Sequence, residues 1–163
     1  MGNARVLVVV LVMASLVCVS SSRAQNAPLI VGTWKLNREK SQLPPAAAGA
    51  FDIRQYTLRP DGYLVGLLVT SNARGYHYLQ FTARSDGKQY PEYSDDLLAD
   101  MIAGGKPTPR AYSETVIDQY ATEWTDWVNG KVSASGRKTV SPDGRTLTIT
   151  VTGRTQVQVY DRQ

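Results

Sequence analysis

Four turn sequences punctuate this chain and limit how long any element between them can be: Pro60-Asp61-Gly62, Ser85-Asp86-Gly87, Asn129-Gly130 and Pro142-Asp143-Gly144. Asn-Gly suits a two-residue hairpin because both residues tolerate positive φ. Pro-Asp-Gly suits a type I turn closed by a glycine bulge, with proline presetting φ and glycine taking the left-handed position. The segments between are strand-like. Arg145 to Thr152 alternates strictly, with Leu147, Ile149 and Val151 on one face and four threonines on the other. That is a half-buried strand with a wet side. Gln156 to Tyr160 repeats the pattern, and further strands are predicted at 31–37, 51–59, 63–71, 76–84, 111–119, 120–129 and 131–140. So many short strands joined by tight turns predict an all-β, antiparallel up-and-down meander. A meander of that length closes into a barrel of about 8–10 strands, which removes its edges.

One stretch breaks the pattern. Asp95 to Ile102 is predicted as a short helix, capped by Ser94 and ended by Gly104-Gly105, because a serine hydroxyl satisfies the first free amides and glycine allows the closing turn. With the irregular Lys106-Pro-Thr-Pro-Arg110 it reads as a loop or lid at one end of the sheet. Pro44 to Gly49 reads as a flexible connection and residues 25–29 as a disordered lead-in.

The N-terminus has a separate logic. Met1 to Arg5 carries one positive charge, Val6 to Val19 carries none, and Ser20 to Ala24 is small and polar apart from Arg23. This is the layout of a secretory signal, with cleavage after Ala24. The apolar run is shorter than the ~20 residues of a membrane span. Val17, branched, spoils a lipobox at Cys18. The expected organisation is therefore a cleavable signal peptide over 1–24 and one domain over 25–163, secreted or periplasmic, with no transmembrane span in the mature chain. Losing Arg5 and Arg23 lowers the net charge from +4 to +2, and no clustered basic stripe remains to bind nucleic acid. The mature chain has no cysteine, so a packed core and a regular hydrogen-bonded ladder must hold it together.

Gly32-Thr33-Trp34 on the first strand carries a family resemblance. It is joined by Lys35-Leu-Asn37 with Lys40-Ser41, Asp86-Gly-Lys-Gln-Tyr-Pro91, Gly136 to Thr150, and the closing Val159-Tyr-Asp-Arg-Gln163. Together these resemble the small exported lipocalin-like proteins of bacteria, over nearly all of the mature chain except about 92–112. The resemblance implies a calycin-type barrel with an internal cavity and no particular reaction. It also implies that Gly32 and Trp34 belong to the barrel floor, with Trp34 closing it against a late basic residue, Arg154 or Arg162.

Turn arithmetic gives candidate site residues. If Ser141 pairs with Arg145, then Arg137 lies opposite Ile149, Ser135 opposite Val151 and Thr139 opposite Leu147. A two-residue turn at Asn129-Gly130 sets Trp124 opposite Ser135 and Thr122 opposite Arg137. Side chains alternate, so these residues share a face. The inward face then holds Tyr120, Trp124, Val128, Leu147, Ile149 and Val151, together with Ser133, Ser135, Arg137 and Asp126. Glu123, Thr125, Lys138 and the threonines face solvent. A buried arginine needs a partner, and the alternatives stay open. One is the polar or anionic head of a ligand bound by Arg137, Trp124, Tyr120 and Ser135; another is an internal pair with Asp126 or with the floor; the third is a one-residue slip of register, which flips every side chain and puts Arg137 outside.

No catalytic motif is present. His77, the one histidine, lies in Tyr76-His-Tyr78 with no nucleophile elbow in the chain. No metal is expected, since the mature chain has one histidine and no cysteine, and Asp95, Asp96 and Asp100 miss the spacing of a calcium loop. No cofactor is expected either. Three readings remain: an exported barrel binding a small hydrophobic or amphipathic ligand, a cell-envelope module with a filled core, and a barrel cyclase or isomerase.

Overall fold

The computed structural model describes residues 28–45, 51–72 and 75–163. The expected signal peptide, residues 25–27 of the lead-in and Ala46 to Gly49 lie outside these. Ten strands follow one another: β1 (Gly32–Leu36), β2 (Asp52–Leu58), β3 (Leu64–Asn72), β4 (Gly75–Ala83), β5 (Tyr90–Ser94), β6 (Arg110–Val116), β7 (Ala121–Val128), β8 (Lys131–Val140), β9 (Thr146–Val151) and β10 (Val157–Arg162). The helix α1 (Asp95–Ile102) stands between β5 and β6. Each strand pairs antiparallel with its neighbour in sequence, and β10 returns to β1, closing the barrel. Closure gives every strand two ladder neighbours, so none is an edge strand. Among the described residues no helix is long and apolar enough to cross a membrane.

The connections sort to two ends. Turns 59–63, 84–89, 117–120 and 141–145 share one end with residues 28–31 and the C-terminus. The other end carries α1, Asn129-Gly130 and 152–156. Asn129 and Gly130 take φ of 52° and 73°, the geometry their turn requires. The α1 cap is as the sequence predicts: Ser94 Oγ accepts from the amide of Leu97, and Gly104 closes the helix with positive φ. No residue of α1 is buried, and it rests on β4 and β5. Strand β5 was not foreseen, because Tyr90-Pro-Glu-Tyr-Ser94 has polar residues on both faces and a proline within it. The end of the lead-in is also ordered: Val31 donates to Pro28 O, and Ile30 is buried in the core.

The register of β8 departs from the turn arithmetic by one residue. Ser141 pairs across its turn with Thr146, not Arg145, so Lys138 faces Ile149 and Arg137 faces Thr150. On the other side Val128 pairs with Lys131 as a two-residue turn requires. A β-bulge at Asp126/Trp127 then sets Trp124 opposite Gly136 and Thr122 opposite Lys138. Both shifts run the same way, so β8 alone is flipped. Trp124, Asp126, Leu147, Ile149 and Val151 keep their expected face, while Ser135 and Arg137 exchange sides with Gly136 and Lys138.

The exchange matches the space available. A Cβ on Gly136 would lie 1.9 Å from Thr150 O and 2.9 Å from the Trp124 ring. Gly66 on β3 likewise faces Phe81 on β4, whose ring would be 2.3 Å from any Cβ there. In each pair the aromatic ring lies over the glycine across the ladder, which lets a large side chain fit inside a narrow barrel. Phe81 in turn stacks on Tyr112 with centroids 3.8 Å apart.

Candidate functional site

The floor comes first because it sets which end is closed. Trp34 is fully buried, and its Nε1 donates to Ile30 O at 2.8 Å. Of the two arginines that could face it, Arg162 does so, with its guanidinium 4.3 Å from the ring centroid. Arg162 also donates to the carbonyls of Leu29, Val31 and Gly144, tying the N-terminal segment and the 141–145 turn to the barrel. Gly32 makes room: a Cβ there would lie 2.3 Å from the guanidinium. This end is sealed by covalently distant residues bound to one cation.

Above the floor the interior is polar. From β2, Arg54 donates to Asp52 at 2.9 Å, and Tyr160 of β10 donates to the same carboxylate at 2.7 Å. From β8, Lys138 donates to Glu114 of β6 at 2.7 Å and also to the Tyr112 hydroxyl. Tyr112 donates to Glu114, and Ser85 donates to its second oxygen at 3.1 Å. Lys138 is 4% exposed, and its ammonium lies about 5 Å from the rings of Tyr56, Phe81 and Tyr112. Burial acts to discharge it, but Glu114 and Tyr56 together outweigh burial and hold its pKa above the ordinary lysine value. Burial likewise opposes ionisation of Glu114, and Lys138 with the Tyr112 and Ser85 bonds outweighs that, keeping its pKa low. Both are charged at neutral pH.

Two further carboxyls have a weaker hold on their charge. Glu92 of β5 accepts from Arg110 Nε at 2.8 Å through Oε1 only. Burial first, and repulsion from Asp126 second, push its pKa up to about 7, against the pull of Arg110. Among the described residues Asp126 of β7 has no side-chain hydrogen bond or ion pair; burial raises its pKa, moderated by Lys138, Arg110 and Arg54. Glu92, exchanging its proton near neutrality, can accept a hydrogen bond, donate one, or move a proton.

These groups line a cavity of ≈ 130 Å³ inside the barrel. Arg54, Tyr56, Glu92, Trp124, Asp126 and Lys138 form its polar wall; the apolar wall includes Leu68, Leu79, Ile149 and Val151. Three of the wall's buried polar atoms have no hydrogen-bond partner: Tyr56 OH, Glu92 Oε2 and Trp124 Nε1. A groove of ≈ 420 Å³ at the closed end, lined by Pro28, Leu29, Ile30, Tyr120 and Pro142 among others, is larger. Its walls are mostly apolar, and the unpartnered polar atoms of the barrel do not converge on it, Thr122 Oγ1 excepted. Convergent polar groups in an apolar setting mark a binding site better than size does.

The candidate residues divide accordingly. Trp124 lines the cavity. Tyr120 lies in the closed-end groove. Ser135 and Arg137 are on the outer surface, where Arg137, half-exposed, pairs with Glu123 at 3.0 Å. The cation inside at this level is Lys138; of the alternatives left open for Arg137, the slipped register that puts it outside is the one observed. At the opposite end from the floor, His77 Nδ1 lies 2.8 Å from Asp95 Oδ2, with Asp96 beside them and every pair of potential ligand atoms within 4.8 Å. The sequence reading missed Asp52, Arg54, Tyr56, Glu92, Tyr112 and Glu114. Their only signal was same-face spacing on short strands whose other face is also polar.

No protein-family model matches the chain, and no curated protein matches it.

Proposed function

We propose that this is an exported, lipocalin-like binding protein that takes a small, partly apolar molecule into the interior of its barrel. The observation that carries the reading is the convergence of three unpartnered buried polar atoms on one cavity that also has an apolar side formed by Leu68, Leu79, Ile149 and Val151. Leaving a buried donor or acceptor unmade costs about 1–3 kcal/mol each. A molecule that supplies partners to all three recovers that energy on binding. The volume bounds the guest: an apolar cavity of about 150 Å³ accommodates benzene, so one ring or a short chain is the scale. Export rests on the N-terminal layout alone, with Gln25 as the mature terminus.

A filled-core envelope module is the second reading, favoured by the dense part of the core outside the cavity, where Trp34, Leu147 and Tyr160 are fully buried. Native mass spectrometry of protein exported by its own host separates the two. The binding reading expects a small-molecule adduct, lost from Leu68→Phe, which fills the cavity. A wild-type protein whose mass is that of residues 25–163 alone, and which takes up no one-ring compound, would leave the module. A lipid mass on Cys18, or an uncleaved Met1, would overturn the proposed processing.

A further inference from the structure

The charges around the cavity specify the ligand further, on the premise that the cavity binds one. Three cations reach this part of the interior, and each already has a carboxylate: Arg54 with Asp52, Lys138 with Glu114, Arg110 with Glu92. Asp126 is the fourth carboxyl and has no cation of its own. Its neighbour Glu92 is 2% exposed and spends one oxygen on Arg110, leaving Oε2 without a partner. Tyr56, 1% exposed and outside this carboxyl group, presents an unpartnered hydroxyl to the same space. We propose that the cavity selects a small molecule bearing a cationic nitrogen, held between Asp126 and Glu92 with its apolar part against Leu68, Leu79, Ile149 and Val151.

The chemistry fits group by group. An ammonium has three donors and no acceptor. Asp126, Glu92 Oε2 and the Tyr56 oxygen are three acceptors. Trp124 Nε1–H is a donor only, so it meets a different part of the guest: an acceptor atom or the face of a ring. An anion fares worse on every count. Arg54 and Lys138, the cations lining the cavity, are neutralised by carboxylates at 2.9 and 2.7 Å. An anion would have to displace one of them while standing beside Asp126. A neutral molecule fills the volume but brings no charge to meet the Asp126 carboxyl, so it gains less there than a cation does.

Three one-ring probes of nearly equal size separate these cases: benzylamine, benzyl alcohol and benzoate. The chain's three tryptophans report position. Trp124 faces the cavity, Trp34 Nε1 is bonded to Ile30 O in the floor, and Trp127 Nε1 is bonded to Ser113 Oγ. In ¹⁵N-labelled protein benzylamine should shift the Trp124 indole resonance and leave the other two in place. Its Kd should be at least about tenfold below that of benzyl alcohol, with benzoate weaker still. Asp126→Asn should raise the benzylamine Kd at least about tenfold and leave benzyl alcohol unchanged. Benzyl alcohol or benzoate binding as well as the amine, or an unchanged Kd in Asp126→Asn, would overturn the cation assignment and keep the binding reading. Failure of all three probes to move Trp124 would overturn both. The ranking on wild-type protein decides the matter even where the variant does not fold.

Discussion

Replacing Lys138 by methionine keeps most of a long stem in the core and removes only the ammonium. What remains is the Glu114 carboxylate, 2% exposed and with its cation gone. The separation of 2.7 Å corresponds to about 6 kcal/mol of attraction at an effective dielectric of 20. Much of that is offset by the desolvation both groups undergo on folding. Breaking one side of such a pair costs about 3–5 kcal/mol, because desolvation of the surviving charge is left uncompensated. Lys138→Met should therefore lose that amount at pH 7, where both groups are charged. The double variant Lys138→Met/Glu114→Gln removes the orphaned charge while an amide oxygen still accepts from Tyr112. It should recover to within about 1–2 kcal/mol of wild type, since neutral replacements of buried pairs are often tolerated. Arg137→Met, one position along, breaks an exposed pair with Glu123 and should cost no more than about 1 kcal/mol. Urea unfolding followed by far-ultraviolet circular dichroism gives all three values, and the double-mutant cycle gives the coupling. Equal small losses at 137 and 138 would mean that Lys138 is not inside and that the register of β8 is wrong. A double variant as unstable as the sum of its parts would mean the two charges do not act as a pair.

Three other outcomes follow from the same interior. Glu92 ionises at about 7 when folded and near 4.5 when unfolded, so between those pH values the folded state holds the extra proton and stability falls as pH rises. Glu92→Gln should remove a decline of about 3 kcal/mol, seen as urea midpoints that converge with wild type near pH 4.5 and exceed it at pH 8; parallel midpoints at both pH values would contradict the shift. Trp34→Ala should destabilise by about 3–5 kcal/mol, the usual loss for a buried large aromatic, while any cavity ligand keeps its relative affinities in the folded fraction. Gly136→Ala should cost about 3 kcal/mol, because the new methyl meets backbone at Thr150 O rather than a movable side chain; an unaffected thermal midpoint would show the ladder there to be looser than described.

The architecture was legible in the sequence because turns and alternation are local. Pro60-Asp61-Gly62 and Asn129-Gly130 act over four or five residues, and Leu147-Thr-Ile-Thr-Val151 declares its two faces without reference to any partner. Ser94 and Gly104-Gly105 likewise fixed both ends of α1. Gly32 and Trp34 were legible only through resemblance, and the resemblance left Arg154 and Arg162 undecided. Only Arg162 has its register opposite Trp34 on β10. Strand β5 escaped because neither of its faces is apolar. Inside this barrel Glu92 and Ser94 are as buried as a leucine would be elsewhere, so the usual contrast between faces is missing.

The inversion at β8 shows which of two sequence signals carries more weight. Counting through turns assumes that no residue bulges and that each loop has its commonest length. A single added residue reverses every side chain beyond it, and here a bulge that leaves Ser133 unpaired opposite Asp126/Trp127 and a longer 142–145 loop each added one. The composition of β8 already pointed the other way. Ser133, Ser135, Arg137 and Thr139 form an entirely polar face, while Ala134, Gly136 and Val140 form a small and apolar one with Lys138 as its sole exception. Ranking burial pattern above turn counting would have put Arg137 outside and Lys138 inside. That placement would have been rejected for burying a lysine, since the carboxylate that permits it lies 24 residues away on a strand two places round the barrel. A lone charge on an otherwise apolar face is thus weak evidence against that face being the core. It is better evidence that an opposite charge waits inside, and in this barrel the same logic, applied to Asp126, is what underlies the proposed cationic ligand.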